Sequence, residues 1–227
     1  MLRIVDLGLP VATEMLDPII AQYIADAVAW AAIGARTTEA QTHRQLGSGL
    51  SMPVGFKNAT DGSFQTAIDA ISTARSEHSF IGVLEDGHVG VFRTRGNPYA
   101  HIVLRGGSGQ PNYGAEHIAF LKVAMRKANI RPAIVVDCSH ANSYKDYRKQ
   151  HIALEDVLRQ IGDGEDALAG VMLESNLLPG SQKIQTGCRP DPGISITDSC
   201  IGWDETAELI RHTYEVLGKI HGENSGR

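Results

Sequence analysis

The sequence predicts an α/β fold built on parallel strands, and three observations carry that expectation. Short β-branched runs alternate with longer helical stretches along the 227 residues, the pattern of successive βα units. Six phrases each pair a β-rich run with charged residues: AIGARTTE from Ala32, VGFKN from Val54, HIVLRGG from His101, IVVDCSHAN from Ile134, GVMLES from Gly170 and SITDSC from Ser195. In a barrel of parallel strands the C-terminal strand ends share one mouth, where the sites of that architecture are built. The first three phrases would bring Arg36, Lys57 and Arg105 to such a mouth, and the last three His140, Glu174 and Asp198.

Taken in order, the strands fall at residues 11–16, 32–36, 53–57, 101–105, 133–138 and 169–174. Helices fill the intervals at 17–30, 38–50, 61–74, 113–129 and about 143–161, with a last one at 204–220. Asp17-Pro18 and Asp204 suit helix starts, because an acceptor followed by proline or acidic residues satisfies orphan backbone donors. One segment breaks the rhythm: the β runs 79–84 and 89–94 flank Asp86-Gly87, a strong hairpin signal, so an antiparallel hairpin is inserted near residues 79–94. Residues 177–197 read as a long loop, and the closing HGENSGR as a frayed tail. Six strands cannot close an eight-stranded barrel, although the length approaches the usual total of about 250 residues. Either the sheet is open, or an N-terminal portion precedes this sequence.

Composition narrows the function. With 42% hydrophobic and 21% charged residues, the chain can bury a core as a single domain over residues 1–227. A formal charge of −5, without basic runs interleaved with aromatics, argues against nucleic-acid binding. No apolar run reaches the roughly 20 residues that span a bilayer, and the first residues lack a signal-peptide pattern. Cys138, Cys188 and Cys200 are an odd set without CxxC spacing, which suits reduced thiols and a cytoplasmic protein.

The six charged residues divide by chemistry. Arg36 stands before Thr37 and Thr38, where a guanidinium fork and two hydroxyls suit phosphate oxygens. Lys57 follows Val54-Gly55-Phe56 and offers a compact charge, or a Schiff-base amine as in a class I aldolase. Arg105 precedes Gly106-Gly107, whose amides offer further donors to the same phosphate. Glu174 ends an otherwise apolar run, and a carboxylate there needs a partner or a metal. His140, Glu174 and Asp198 give one nitrogen and two carboxylate donors, a set for a divalent Mn, Fe, Co or Zn ion that leaves coordination positions open.

With these residues in place, GARTTEAQTHR, PVGFKNATDG, HIVLRGG, PNY, VDCSHANS, GVMLESNL and SITDSCIGW closely resemble the type I 3-deoxy-D-arabino-heptulosonate 7-phosphate synthases, from about Leu7 to Leu217. The resemblance implies a (β/α)8 TIM barrel, here the last six βα units. It also implies a transferase of the shikimate pathway and aromatic amino acid biosynthesis, which condenses phosphoenolpyruvate with erythrose 4-phosphate and releases phosphate. By that resemblance Arg36, Lys57 and Arg105 hold the phosphoenolpyruvate phosphate and carboxylate, and Glu14, Gly34 and Ala35 line the pocket. His140, Glu174 and Asp198 match three of four metal ligands. No lysine adduct is needed, so Lys57 becomes an electrostatic contact. Asp17, Gln22, Leu46, Leu50, Ser51, Phe80 and Gly82 match positions around an aromatic amino acid effector, and Gly82 implies tyrosine rather than phenylalanine sensitivity.

The family's DPCSIHD-type and KPRTTxGWKG segments have no counterpart in this sequence, and the first carries the fourth ligand, a cysteine. Cys138, two residues before His140, would lie deeper along its strand. Unpaired strand edges and an apolar interior would then need cover, which predicts self-association or pairing with a full-length homologue. Three readings follow: a shortened synthase with impaired activity, an enzyme completed by another polypeptide, and a non-catalytic paralogue that binds phosphometabolites or regulates a full-length synthase.

Overall fold

The computed structural model describes residues 1–224; of the tail, residues 221–224 continue the last helix and residues 225–227 lie outside the described residues. The sheet contains β1 (Ala12–Glu14), β2 (Trp30–Ile33), β3 (Val54–Lys57), β6 (His101–Leu104), β7 (Ile134–Asp137) and β8 (Leu168–Met172). Its strand order is β1-β2-β3-β6-β7-β8, while β4 (His78–Val83) and β5 (Val89–Thr94) pair separately. With that hairpin set aside, spatial order equals chain order, as consecutive βα units require. The pairs β1–β2, β2–β3 and β3–β6 are parallel. Packing divides the chain into two compact units, residues 1–104 with 121–135, and residues 105–120 with 136–227. The second half of β7 and all of β8 belong to the latter.

In the first unit, β3 and β6 are buried along their whole length, and β2 from Ala31 to Ile33. Strands covered on both faces read as continuous apolar runs rather than alternating ones. The helix α4 (Gln65–Ala74) buries Ala67, Ile68, Ala70, Ile71 and Ala74, the spacing of one helical face. Helix α3 (Gln41–Gly49) buries Leu46 beside it. In the second unit, α6 (Gln150–Gly162) buries Ala153, Leu154, Val157 and Leu158. His212 on α7 (Trp203–Asn224) lies 2.9 Å from Glu155 on α6.

The six expected strands, the hairpin and four of the helices are present with shifts at their ends. Two expected helices are corrected. Residues 17–30 form only α2 (Ala21–Ile24) and a 3-10 turn (Ala25–Ala27), and Trp30 and Ala31 already belong to β2. Ile19, Ile20 and Tyr23 are at least half exposed, so a long helix there would have no buried face to stabilise it. Instead of the start of α6, the 3-10 turns His140–Ser143 and Tyr147–Lys149 flank a bend at residues 144–146. Tyr144 and Lys145 adopt φ of 56° and 60°, left-handed values that an α-helix does not contain. A short helix α1 (Leu2–Asp6) and its apolar, exposed side chains had no counterpart in the sequence reading.

Candidate metal centre and strand-end residues

In the second unit three expected residues converge. β7 ends at Asp137, whose Oδ1 accepts a hydrogen bond from the Ser139 N–H (2.9 Å), and Asn142 Nδ2 donates to the Asp137 carbonyl (2.8 Å). This tight turn presents His140 at φ 54°, a left-handed value rare for a residue with a Cβ. Such conformations cost about 1–3 kcal/mol and gather at functional positions. His140 Nε2 lies 3.6 Å from Glu174 Oε1 and 3.9 Å from Asp198 Oδ2, and the three ligand atoms fall within 4.8 Å of one another. Ligands about 2.1 Å from a shared tetrahedral ion stand roughly 3.4 Å apart, so the donors fit a divalent ion.

Glu174 is held from both ends. Gln150, fully buried at the start of α6, donates from Nε2 to the Glu174 carbonyl (3.0 Å) and accepts from its N–H (2.8 Å). Ser139 Oγ donates to Glu174 Oε2 (2.8 Å). Burial pushes the Glu174 carboxyl above the usual range; His140 and Ser139 pull it back, while Asp137 and Asp198 add to the rise. An acid cluster that resists full ionisation is what a cation would relieve. Asp198 is largely exposed on the returning loop. Cys138 does not join the set: its thiol is buried, its Sγ faces the Val136 carbonyl at 3.8 Å, and burial pushes its ionisation far up. Asp137, Ser139 and Gln150 were absent from the sequence reading. The DxSH spacing carried a signal for the first two; nothing local marked Gln150.

In the first unit, the strand ends of β1, β2 and β3 bring Glu14, Gly34, Ala35, Arg36 and Lys57 forward. Gly34 is buried, and a Cβ there would displace the Glu14 carboxylate that lies against it. Arg36 is exposed, and Lys57 is buried at the end of β3. The threonines expected to help bind phosphate are otherwise engaged. Thr37 Oγ1 donates to the Gly34 carbonyl (3.1 Å), and buried Thr38 Oγ1 shares its proton between the carbonyls of Gly34 (3.0 Å) and Lys57 (2.9 Å). Arg105, half-buried in the second unit, meets the same correction at its glycines. The Gly106 N–H donates to Asn112 Oδ1 (2.8 Å) and the Gly107 N–H to the Gln110 carbonyl (2.9 Å). A phosphate there would depend on side-chain cations, not on those amides and hydroxyls.

Of the expected effector residues, Gln22, Leu46, Leu50, Ser51, Phe80 and Gly82 line one cavity of about 720 Å³ in the first unit. Asp17 is not in its lining and instead accepts the Ile19 N–H (2.7 Å). Phe80 stacks on Phe92 at 5.7 Å, and a Cβ on Gly82 would meet the Phe92 ring at 2.7 Å.

Chain-ordered βα units carrying a His-Glu-Asp donor set just beyond their strands define an α/β protein of the TIM-barrel type with a candidate metal centre. The chain belongs to the DAHP synthetase I family, whose sequence model matches residues 4–211. It is 49% identical over 218 residues to the Tyr-sensitive phospho-2-dehydro-3-deoxyheptonate aldolase of Escherichia coli K12, covering 96% of this chain and 61% of that one. The Phe-sensitive enzyme of the same organism is 51% identical over 211 residues, 93% of this chain and 60% of the other. The solved phospho-2-dehydro-3-deoxyheptonate aldolase of Francisella tularensis SCHU S4 superposes with a TM-score of 0.91 at 42% identity, covering 95% of this chain and 63% of that chain. The chain thus spans about three fifths of the length of the curated relatives it matches.

Proposed function

We propose that this chain acts in the synthesis of 3-deoxy-D-arabino-heptulosonate 7-phosphate, joining phosphoenolpyruvate to erythrose 4-phosphate with release of phosphate, in the cytoplasm. The observation that carries the reading is the convergence of His140, Glu174 and Asp198. These residues would hold a divalent ion, which supplies Lewis-acid polarisation of the erythrose 4-phosphate aldehyde when bound. Arg36 and Lys57, both on the first unit, are the cations assigned to the phosphate and carboxylate of phosphoenolpyruvate. Lys57 serves by charge: buried at its strand end, it holds an anion without covalent chemistry. Carbon 3 of phosphoenolpyruvate adds to the aldehyde carbon, water adds at carbon 2, and phosphate departs.

Phosphate release from the purified chain, given both substrates and Mn²⁺, tests the reading. Release that requires each component and disappears in Glu174→Gln is expected. Release unchanged in Glu174→Gln, or none from the wild-type chain, contradicts it.

The names of the relatives speak of tyrosine and phenylalanine sensitivity. We assign the same kind of control to the 720 Å³ cavity, with tyrosine as the effector, supported by its Phe80–Phe92 wall and by Gly82. Calorimetric titration should give heat of binding with tyrosine and less with phenylalanine; binding of neither removes the assignment.

A further inference from the structure

We propose that Ser139 is a positioning residue for the metal centre: its hydroxyl engages Oε2 of Glu174, so that Oε1 is the oxygen offered to an ion beside His140. The inference rests on the reading of His140, Glu174 and Asp198 as metal ligands and adds the group that aims one of them. Ser139 Oγ donates to Glu174 Oε2 at 2.8 Å, and Glu174 is the partner of that hydroxyl among the described contacts. Ser139 is itself held by its main chain. Its N–H donates to Asp137 Oδ1 (2.9 Å), its carbonyl accepts the Asn142 N–H (3.1 Å), and the residue is buried. The hydroxyl is therefore set in place by the same turn that presents His140.

Gln150 fixes the backbone of Glu174, through its N–H and its carbonyl, and leaves the carboxylate free. Beyond the backbone a glutamate side chain keeps several rotatable bonds, and ordering them costs conformational entropy. A hydroxyl bound to one carboxylate oxygen settles that order before a cation arrives, and hydrogen bonds to charged acceptors are the stronger kind. The other oxygen, Oε1, stands 3.6 Å from His140 Nε2, too far for a hydrogen bond and close to the separation of two ligands on one ion. Groups that hold a ligating side chain in this way commonly contribute about 10- to 100-fold to metal affinity. Ser139 and His140 are neighbours in the chain, so one turn supplies one ligand and aims a second.

The test reads metal binding, not turnover. Calorimetric titration of the chelator-treated chain should show Mn²⁺ bound about 10- to 100-fold more weakly by Ser139→Ala than by wild type, with cooperative unfolding kept. Ser139→Thr retains the hydroxyl and should return binding toward the wild-type value. A second measurement needs no variant. In infrared difference spectra of the wild-type chain carrying ¹³C-carboxylate glutamate, Mn²⁺ should leave the antisymmetric and symmetric stretches of the ligating carboxylate widely separated, the signature of one bound oxygen. Wild-type affinity in Ser139→Ala overturns the proposal, as does a folded Ser139→Thr that recovers nothing. A narrow separation in wild type, the signature of both oxygens on the ion, overturns it as well and decides even if the variants unfold. If the wild-type chain binds no Mn²⁺, the metal-centre reading fails and this role with it; if it binds and Ser139→Ala binds equally, the role of Ser139 fails and the metal-centre reading stands.

Discussion

The two units spend their polar groups differently. Around Gly34 and Lys57 the side-chain hydroxyls turn back onto the main chain: Thr37 and Thr38 donate to strand-end carbonyls and hold the local loop. Around His140 the same kind of donor turns outward. Ser139 reaches the Glu174 carboxylate, Gln150 holds the Glu174 backbone, and Asp137 stands against the imidazole. One region uses hydroxyls to hold its own backbone at the strand ends; the other uses polar side chains to aim ligands. A threonine beside an arginine therefore says little about phosphate contacts until its carbonyl partners are known.

Substitutions in the first unit can break or sharpen that contrast. The largest effect belongs to Lys57→Met, which removes a buried cation of similar volume. Phosphoenolpyruvate binding measured by calorimetry should weaken about 10- to 100-fold, the worth of a hydrogen bond to a charged group. Mn²⁺ affinity should stay as in wild type; a parallel loss of Mn²⁺ would erase the division of labour.

Thr38→Val comes next and should act on stability. Losing the hydroxyl from two buried carbonyls costs about 1–2 kcal/mol in urea unfolding, with phosphoenolpyruvate binding changed less than about threefold. A larger loss of binding without loss of stability would return the threonine to the phosphate site.

The smallest effect concerns His101, at the start of β6 and remote in sequence from both sets. Its Nε2 accepts from Trp30 Nε1 (3.0 Å) and its Nδ1 donates to the Tyr99 carbonyl (2.9 Å), so the ring is neutral. Burial lowers its pKa below the ordinary histidine range. With the folded value below the unfolded one, its contribution is fully present above the unfolded pKa and is lost as pH falls through the folded one. Thermal melts between about pH 7.5 and about pH 5 should show a steeper decline for wild type than for His101→Asn. Equal slopes would remove His101 from the acid response.

Much of this architecture is legible in the amino-acid order because buried parallel strands leave little choice. β3, β6 and β7 lie within one residue of their expected bounds, since continuous apolar runs ending in charge have one sensible placement. The stretch from Asp17 to Trp30 misled at its end because local helical spacing was overridden by pairing: Trp30, Ala31 and Ala32 are held by Ala12, Thr13 and Glu14 of β1, and Ala31 to Ile33 by β3 as well. Tyr144 and Lys145 gave no warning of their left-handed turns, which glycine would have announced. At the site, His140, Glu174 and Asp198 could be proposed together because a carboxylate closing an apolar strand needs a counterpart. Gln150 could not, because its bond to Glu174 joins residues 24 apart through the fold alone.

The central claim is that His140, Glu174 and Asp198 form one divalent-metal centre. Titration of the chelator-treated chain with Mn²⁺, followed by calorimetry, tests it most directly. A single saturable site in wild type that is lost in His140→Ala, while the variant keeps its cooperative unfolding, is the predicted result. No binding by wild type, or the same binding after His140→Ala, would contradict it.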